Sequence, residues 1–239
     1  MLTSITNIPK IMRANAWSQG AMLMEKWFLG PPIAMPFYTI PDLTTIRIDW
    51  VLQFPRARKK YDEMLDDKVW ANPAARPIVA KHLRPFVGKK FDFSRYSQRE
   101  IHDIHVNHSD VSSGFPSLDG LVAALGNFSL YVSPISGSVV SLSPNNSFVQ
   151  IEINRVGFQV MDSYDFEGHQ FIDEWDESTN DVSVVIPLLE TTEHGAADSS
   201  RVYNSSFRNW RHENARGGDF KIFSDVKIVT LPSPTVSRI

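Results

Sequence analysis

Apolar side chains recur every three or four positions through the first third of the chain, which is the spacing of one face of a helix. The longest stripe runs over 11–29, and Gly30-Pro31-Pro32 predicts where that helix ends. Strict alternation over 46–54 predicts a strand, and the helical spacing returns over 57–70 and 73–83. These elements predict a mainly helical first third.

Beyond residue 90 the pattern changes to alternation, which is typical of strands. Together the two patterns predict an α+β fold, mainly helical over 1–90 and β-rich over 91–239. The elements expected in the second region are a strand over 100–108, a short helix over 118–125, a hairpin over 128–142 that turns at 134–137, strands over 147–154, 156–166 and 182–187, a loop over 190–200, a helix over 204–214 and a closing strand over 220–231.

The composition narrows the possible functions. The 239 residues carry Lys+Arg 24 against Asp+Glu 27, a balance that argues against a nucleic-acid coat or a polybasic membrane anchor. The absence of cysteine excludes disulfides, thiolate zinc sites and cysteine nucleophiles. No apolar run is long enough for a transmembrane helix, and the first residues lack the pattern of a signal peptide. We therefore expect a protein made in the cytoplasm without a cleaved signal.

The most informative stretch is VGFQVMDSYDFEGHQ, over 156–170. Asp162 and Tyr164 are two residues apart, so on a strand they point to the same side about 6.8 Å from each other. A turn at Glu167-Gly168 would bring Asp165 and His169 back to the same edge. Carboxylates suit Mg²⁺, and histidine moves protons near neutral pH, so the set is typical of metal-assisted phosphoryl hydrolysis. The alternative is that the aspartates make turns and the tyrosine packs in a sheet.

This stretch resembles the catalytic signature of colicin M and its relatives, which is D-x-Y-D followed by a His-Arg pair. Asp162, Tyr164 and Asp165 match its first part. His169 follows after three residues instead of the usual five, and Gln170 stands in place of the arginine. The whole chain also resembles a bacterial family encoded near type VI secretion genes, in stretches such as IPKIMRANAW, MEKWF, DWVLQFPRA and FRNWRHENARGGDFKIFSDVK.

The colicin M resemblance covers about 118–170 and implies an open-barrel-like catalytic half that uses Mg²⁺ to cut lipid II between the undecaprenyl chain and the pyrophosphate. It implies that Asp162 and Asp165 bind the metal or activate water, that Tyr164 orients the pyrophosphate, and that His169 donates the proton. The cation that the family places beside its histidine would have to come from elsewhere, and the candidates are Arg208, Arg211 and Arg216.

Three histidines form a second candidate site. On a helix, His102, His105 and His108 would share one face, as in a metal site. The β-branched residues among them favour a strand instead, on which His105 faces away from the other two. Packed or solvated histidines are then the simpler interpretation.

A third candidate is the segment 206–219, where several arginines lie near Phe207 and Trp210. Such a set can bind phosphate or nucleic acid. It can equally form an amphipathic helix whose aromatic side chains pack inward and whose charges are solvated. A nucleophile elbow, a P-loop and a dinucleotide fingerprint are all missing from the sequence.

Two functions remain open at this point. The first is an antibacterial effector that hydrolyses lipid II in the periplasm of a target cell, with an immunity protein and a secretion-machine delivery protein as partners. The second is a non-catalytic, secretion-associated binding module, either an adaptor or an immunity protein, in which the DSYDF strand is structural.

Overall fold

The computed structural model describes residues 4–112, 118–146, 148–168, 171–176, 179–183 and 201–238. The α-helices of these residues are α1 (Ile8–Ala14), α2 (Ser18–Leu29), α3 (Ile48–Val51), α4 (Pro55–Asp66), α5 (Arg76–Leu83), α6 (Gln98–Asp103), α7 (Gly120–Leu125) and α8 (Asn204–Asn214). The strands are β1 (Lys89–Asp92), β2 (Asn107–Val111), β3 (Phe128–Ser141), β4 (Val149–Tyr164), β5 (Phe171–Asp176), β6 (Asp181–Ser183), β7 (Arg201–Tyr203), β8 (Phe220–Phe223) and β9 (Lys227–Arg238).

The larger sheet is open and mostly antiparallel, and it is built on the long hairpin of β3 and β4. Strand order is β1-β3-β4-β8, with β2 also paired to β3 and β9 also paired to β4. The hairpin register runs from Ser141↔Val149 next to the turn to Ser129↔Met161 at the far end. A smaller sheet has the order β6-β5-β7. The predicted α+β class is confirmed.

The described residues cluster into two compact units. Unit 1 takes its residues from 1–45, 113–126 and 163–222, and unit 2 takes them from 46–112, 127–162 and 223–239. Each unit has its own buried core.

The core of unit 1 is centred on Trp27 of α2, whose side chain is fully buried. Four aromatic rings surround it with centroids 5.0 to 6.0 Å away, and three of them meet it edge-on. They belong to Phe28, Phe166, Phe207 and Trp210. Such edge-on contacts are favoured between aromatic side chains, and large rings bury much apolar area. Trp27 therefore joins α2 to α8 and to the segment that follows β4.

The core of unit 2 forms where β3 and β4 pack against helices. Phe158 of β4 is fully buried and meets the rings of Tyr61 on α4 and Trp70 edge-on, at 4.8 and 6.3 Å. The indole of Trp70 donates to the Thr235 hydroxyl of β9 at 3.2 Å. The middle of β4 is thus covered by apolar side chains, as its sequence predicts.

Several predicted elements are wrong. The segment 46–54 contains helix α3, because the N–H of Ile48 is held by Asp225 Oδ1 at 2.7 Å and α4 begins directly afterwards at Pro55. The stripe over 11–29 is two helices, α1 and α2, which are separated at Ala16 by a left-handed backbone with φ 61°.

The β-rich region also differs from its prediction. The expected hairpin over 128–142 is the single strand β3, which passes through Pro134 where its register with β4 shifts. Proline is tolerated in strands at such irregularities because no ladder hydrogen bond is then lost. The two strands expected over 147–166 are one strand, β4, and the closing strand is divided into β8 and β9. The loop expected over 190–200 lies outside the described residues.

Candidate functional site

Tyr164 ends strand β4 and is packed among aromatic rings of unit 1. Its ring stacks on Phe220 at a centroid distance of 5.3 Å and meets Phe166 edge-on at 5.7 Å. The phenol donates to Met24 Sδ at 3.7 Å, and a thioether is a weak acceptor. Burial raises the pKa of the Tyr164 phenol well above its usual value. This geometry is that of a packed sheet residue.

Asp165 follows directly after β4 and is half-buried. Loss of hydration raises the pKa of its carboxyl, although the backbone N–H of Glu167 donates to Oδ1 at 3.4 Å. The charge of Glu167 raises the pKa further, while the charges of Lys221 and Arg211 lower it. Because desolvation is the largest effect, Asp165 holds its proton to a higher pH than an exposed aspartate does.

Lys221 of β8 supplies an ammonium group near Asp165. Its Nζ is hydrogen-bonded to the Ser163 hydroxyl and lies 4.4 Å from the ring centroid of Phe37. The charge of Lys221 acts on the pKa of Asp165, so the acid and the cation share one electrostatic environment. Unit 1 therefore places a carboxyl with a raised pKa and an ammonium group at the end of the DSYD motif.

Asp219 is a second carboxyl in this environment, and it is completely buried. The Trp27 indole donates to Asp219 Oδ1 at 2.8 Å, and an Nη of Arg211 donates to the same oxygen. Burial raises the pKa of Asp219; the Trp27 and Arg211 contacts oppose the shift, and the charge of Asp165 adds to it. Asp165, Arg211 and Asp219 are therefore electrostatically coupled.

The three candidate arginines have different surroundings. Arg208 donates through Nη1 to the carbonyl oxygens of Phe166 and Gly168, both at 2.7 Å, and so fixes the turn after Asp165. Arg211 is buried, with its guanidinium 5.1 Å from the Trp27 ring centroid and its Nη on Asp219. Arg216 is exposed after α8. The geometry favours positioning roles for Arg208 and Arg211, and leaves Arg216 open to solvent.

Of the other two residues predicted for the site, one is assigned to unit 2 and the other is not described. Asp162 belongs to unit 2, where its charge adds to the effect of burial and of Asp110 in raising the pKa of Tyr131. Its predicted metal-binding partner Asp165 belongs to unit 1. The predicted proton donor His169 lies outside the described residues.

The three histidines gather around Tyr131 of β3 in unit 2. The centroids of His102, His105 and His108 lie 4.6, 5.0 and 5.4 Å from that of the tyrosine ring. His102 is on helix α6, so the strand predicted over 100–108 is wrong for its first half. His102 and His105 stack face to face at 4.9 Å, an arrangement of ring packing.

The expected Mg²⁺ site stays a prediction. Among the described residues, no group of three or more histidine, aspartate or glutamate side chains could hold a metal ion. We therefore derive no step of a reaction through a metal.

Lys221 and Asp219 are not among the residues that the sequence pattern predicts for the site. A signal for Asp219 was the Gly217-Gly218 pair before it, which allows the backbone to approach α2. Gly217 has φ 97°, and a Cβ there would lie 2.5 Å from the Trp27 ring. A Cβ on Gly218 would lie 2.5 Å from the Pro31 oxygen.

Comparison with known proteins identifies the family. Residues 3–239 match the model described as "Family of unknown function (DUF6402)", so the chain belongs to that family. Neither the curated proteins nor the solved structures contain a match to it. Within the described residues, no helix combines the length and the apolar character needed to cross a membrane.

Proposed function

We propose that this DUF6402 protein hydrolyses a lipid-linked pyrophosphate, lipid II being the substrate that the resemblance to colicin M suggests. The observation that carries the proposal is the environment of Asp165. This half-buried carboxyl has a raised pKa and lies in the field of Lys221 and Arg211, immediately after the tyrosine of the DSYD motif. Perturbed acids of this kind are concentrated at functional sites.

The chemistry follows from the two groups at this end of β4. Water adds its oxygen to phosphorus, and the bond from phosphorus to the undecaprenyl oxygen breaks. Asp165, whose pKa is raised by loss of hydration, acts in its protonated form and donates that proton to the leaving oxygen, while the attacking water releases one to solvent. The ammonium of Lys221 balances charge that develops on the phosphoryl oxygens. Arg208 holds the turn that positions Asp165.

The experiment is incubation of purified protein with lipid II, in parallel with Mg²⁺ and with EDTA. We expect wild type to release undecaprenol and the pyrophosphoryl headgroup, and Asp165→Asn to lose at least about a hundredfold in rate, the usual size of a general-acid contribution. Asp103→Asn makes the same chemical change at an exposed position of α6 in unit 2, and should keep most of the rate.

The biological setting is proposed on the same basis. A lipid II hydrolase acts in the periplasm of a target cell, after delivery by a secretion machine, and its producer needs a cognate immunity protein. Survival of a bacterium that receives the chain in its periplasm, at levels where the protein is detected there, would count against this setting.

A specific observation favours a second function, a non-catalytic binding module. The Tyr164 hydroxyl contacts Met24 Sδ, and its ring is enclosed by Phe220 and Phe166, so the motif's tyrosine has a structural role. In a module the whole motif is structural. No release of product by wild type in either the Mg²⁺ or the EDTA reaction removes the enzyme and leaves the module.

A further inference from the structure

The segment that follows α2 exposes a group of large apolar side chains. Phe37 is 76% exposed, Tyr38 78% and Ile40 86%. Leu29 and Met35 are exposed as well. From Leu29 to Pro41 the sequence has no charged residue. We call residues 29–41 the apolar segment. Exposed large apolar side chains that follow one another so closely, with no charge among them, indicate a binding role.

The apolar segment is held in place by hydrogen bonds to the region of Asp219. The Thr39 hydroxyl donates to the backbone oxygen of Asp219 at 2.6 Å. Just beyond the segment, the N–H of Asp42 donates to the Lys221 oxygen at 2.7 Å. Phe37 and Tyr38 lie directly before the first anchor and Ile40 lies between the two, so an anchored backbone presents these side chains to solvent.

The composition of the segment favours a lipid surface over a protein groove. Prolines at 31, 32, 36 and 41 carry no N–H, which lowers the cost of moving this backbone out of water. Phenylalanine and isoleucine suit the acyl boundary, and tyrosine suits the headgroup level.

The lysines beside the apolar segment indicate the charge of the lipid headgroup that it would bind. Lys221 Nζ lies over the Phe37 ring, and Lys26 Nζ lies 4.8 Å from the Phe220 ring centroid. Lys26 forms an ion pair with the buried Asp42 at 3.1 Å, so its charge is already balanced. The ammonium group of Lys221, which borders Phe37, is complementary to an anionic lipid headgroup.

We propose that the apolar segment docks this protein on anionic lipid bilayers by inserting Phe37, Tyr38 and Ile40 at the headgroup boundary. Lys221 takes part in both proposals, but the docking needs neither Asp165 nor a pyrophosphate, so it can hold where the proposed hydrolysis fails.

The test is flotation of the full chain with vesicles of phosphatidylcholine alone, or mixed with phosphatidylglycerol, both free of pyrophosphate lipids. We expect binding to the anionic vesicles and at least tenfold weaker binding to the neutral ones. The double variant Phe37→Ser/Ile40→Ser should lower binding to anionic vesicles at least tenfold while its circular dichroism stays that of wild type. Phe148→Ser, which removes an exposed phenylalanine of unit 2, should bind as wild type.

Three results would overturn the proposal. They are a wild type that binds neither vesicle, equal binding to both vesicles, and a double variant that binds as wild type. A wild-type dimer in analytical ultracentrifugation that the double variant converts to monomer, together with no vesicle binding, assigns the segment to a second copy of the chain instead.

Discussion

His82, near the end of α5, is half-buried and is the residue at which acidification should act on the fold of unit 2. Burial lowers the pKa of its imidazole, and the charges of Lys81 and His105 lower it further. His82 is therefore protonated at a lower pH in the folded protein than in the unfolded chain. Below the unfolded value of 6.5 the unfolded state binds more protons, so the free energy of unfolding falls as the pH falls.

We expect His82→Gln to reduce this acid loss of stability, by at most about 1.4 kcal/mol per pH unit, the slope of one proton. Urea unfolding followed by circular dichroism between pH 7.5 and 5 measures it. His212→Gln changes an exposed histidine of α8 and serves as the matched control. An unchanged slope in His82→Gln would contradict the lowered pKa.

The surroundings of Asp165 and Tyr164 show how much of the candidate site could be predicted from the sequence. The alternation predicted a strand as far as residue 166, whereas β4 ends at Tyr164 and Asp165 follows it. Its partners could not be predicted, because Lys221 and Arg211 approach it from elements more than forty residues away. The packing of Tyr164 on Met24 and Phe220 depends on equally distant contacts.

Among the elements, the β3–β4 hairpin depends on one glycine in β3. Gly137 is paired with Ile153, and a Cβ at Gly137 would lie 1.9 Å from the Glu152 oxygen and 2.8 Å from the Phe91 ring. We expect Gly137→Ala to cost about 1–3 kcal/mol or more, because the two strands must move apart. Urea unfolding measures the loss. Ser138→Ala, on the next, half-exposed residue, should stay within about 0.5 kcal/mol of wild type, and equal effects of the two variants would refute the close approach.

Elements were predictable where local signals agree. Helix α8 matches its predicted range, 204–214, and α2 ends where Gly30 and two prolines follow. Helix α6 has a capping box between Ser97 and Glu100, a signal that outweighs the β-branched residues after it. The strand predicted over 46–54 was wrong because a short apolar alternation fits a helix and a strand alike. The contact of Ile48 with Asp225, which is distant in sequence, favours the helix.

At the scale of the whole molecule, the chain passes repeatedly between its two units. It changes unit after Thr45, Ser112, Gly126, Asp162 and Ile222. A hydropathy pattern depends only on neighbouring positions in the sequence, so it predicts a helical region followed by a β-rich region. Contacts between distant segments determine which residues share a core, and an alternation or a helical stripe carries no information about them.

This interleaving bears on the predicted division into 1–90 and 91–239. Residues before 90 contribute to both cores: Trp27 packs on Phe166 and Phe207 in unit 1, and Trp70 and Tyr61 pack on Phe158 in unit 2. A cut at residue 90 therefore opens both cores at once.

We expect fragments 1–90 and 91–239, expressed separately, to lack cooperative unfolding and dispersed amide resonances, whereas the full chain shows both. The reason is that each fragment exposes apolar surface that only the other can cover, and losing a fully buried tryptophan contact alone costs about 3–5 kcal/mol against a typical stability of about 5–15 kcal/mol. Heat denaturation and ¹H–¹⁵N spectra measure the outcome, with the mixed fragments as the control for complementation. A cooperatively folding 91–239 fragment would show that the β-rich region is an independent domain, and the core of unit 2 would then have to form without α4 and Trp70.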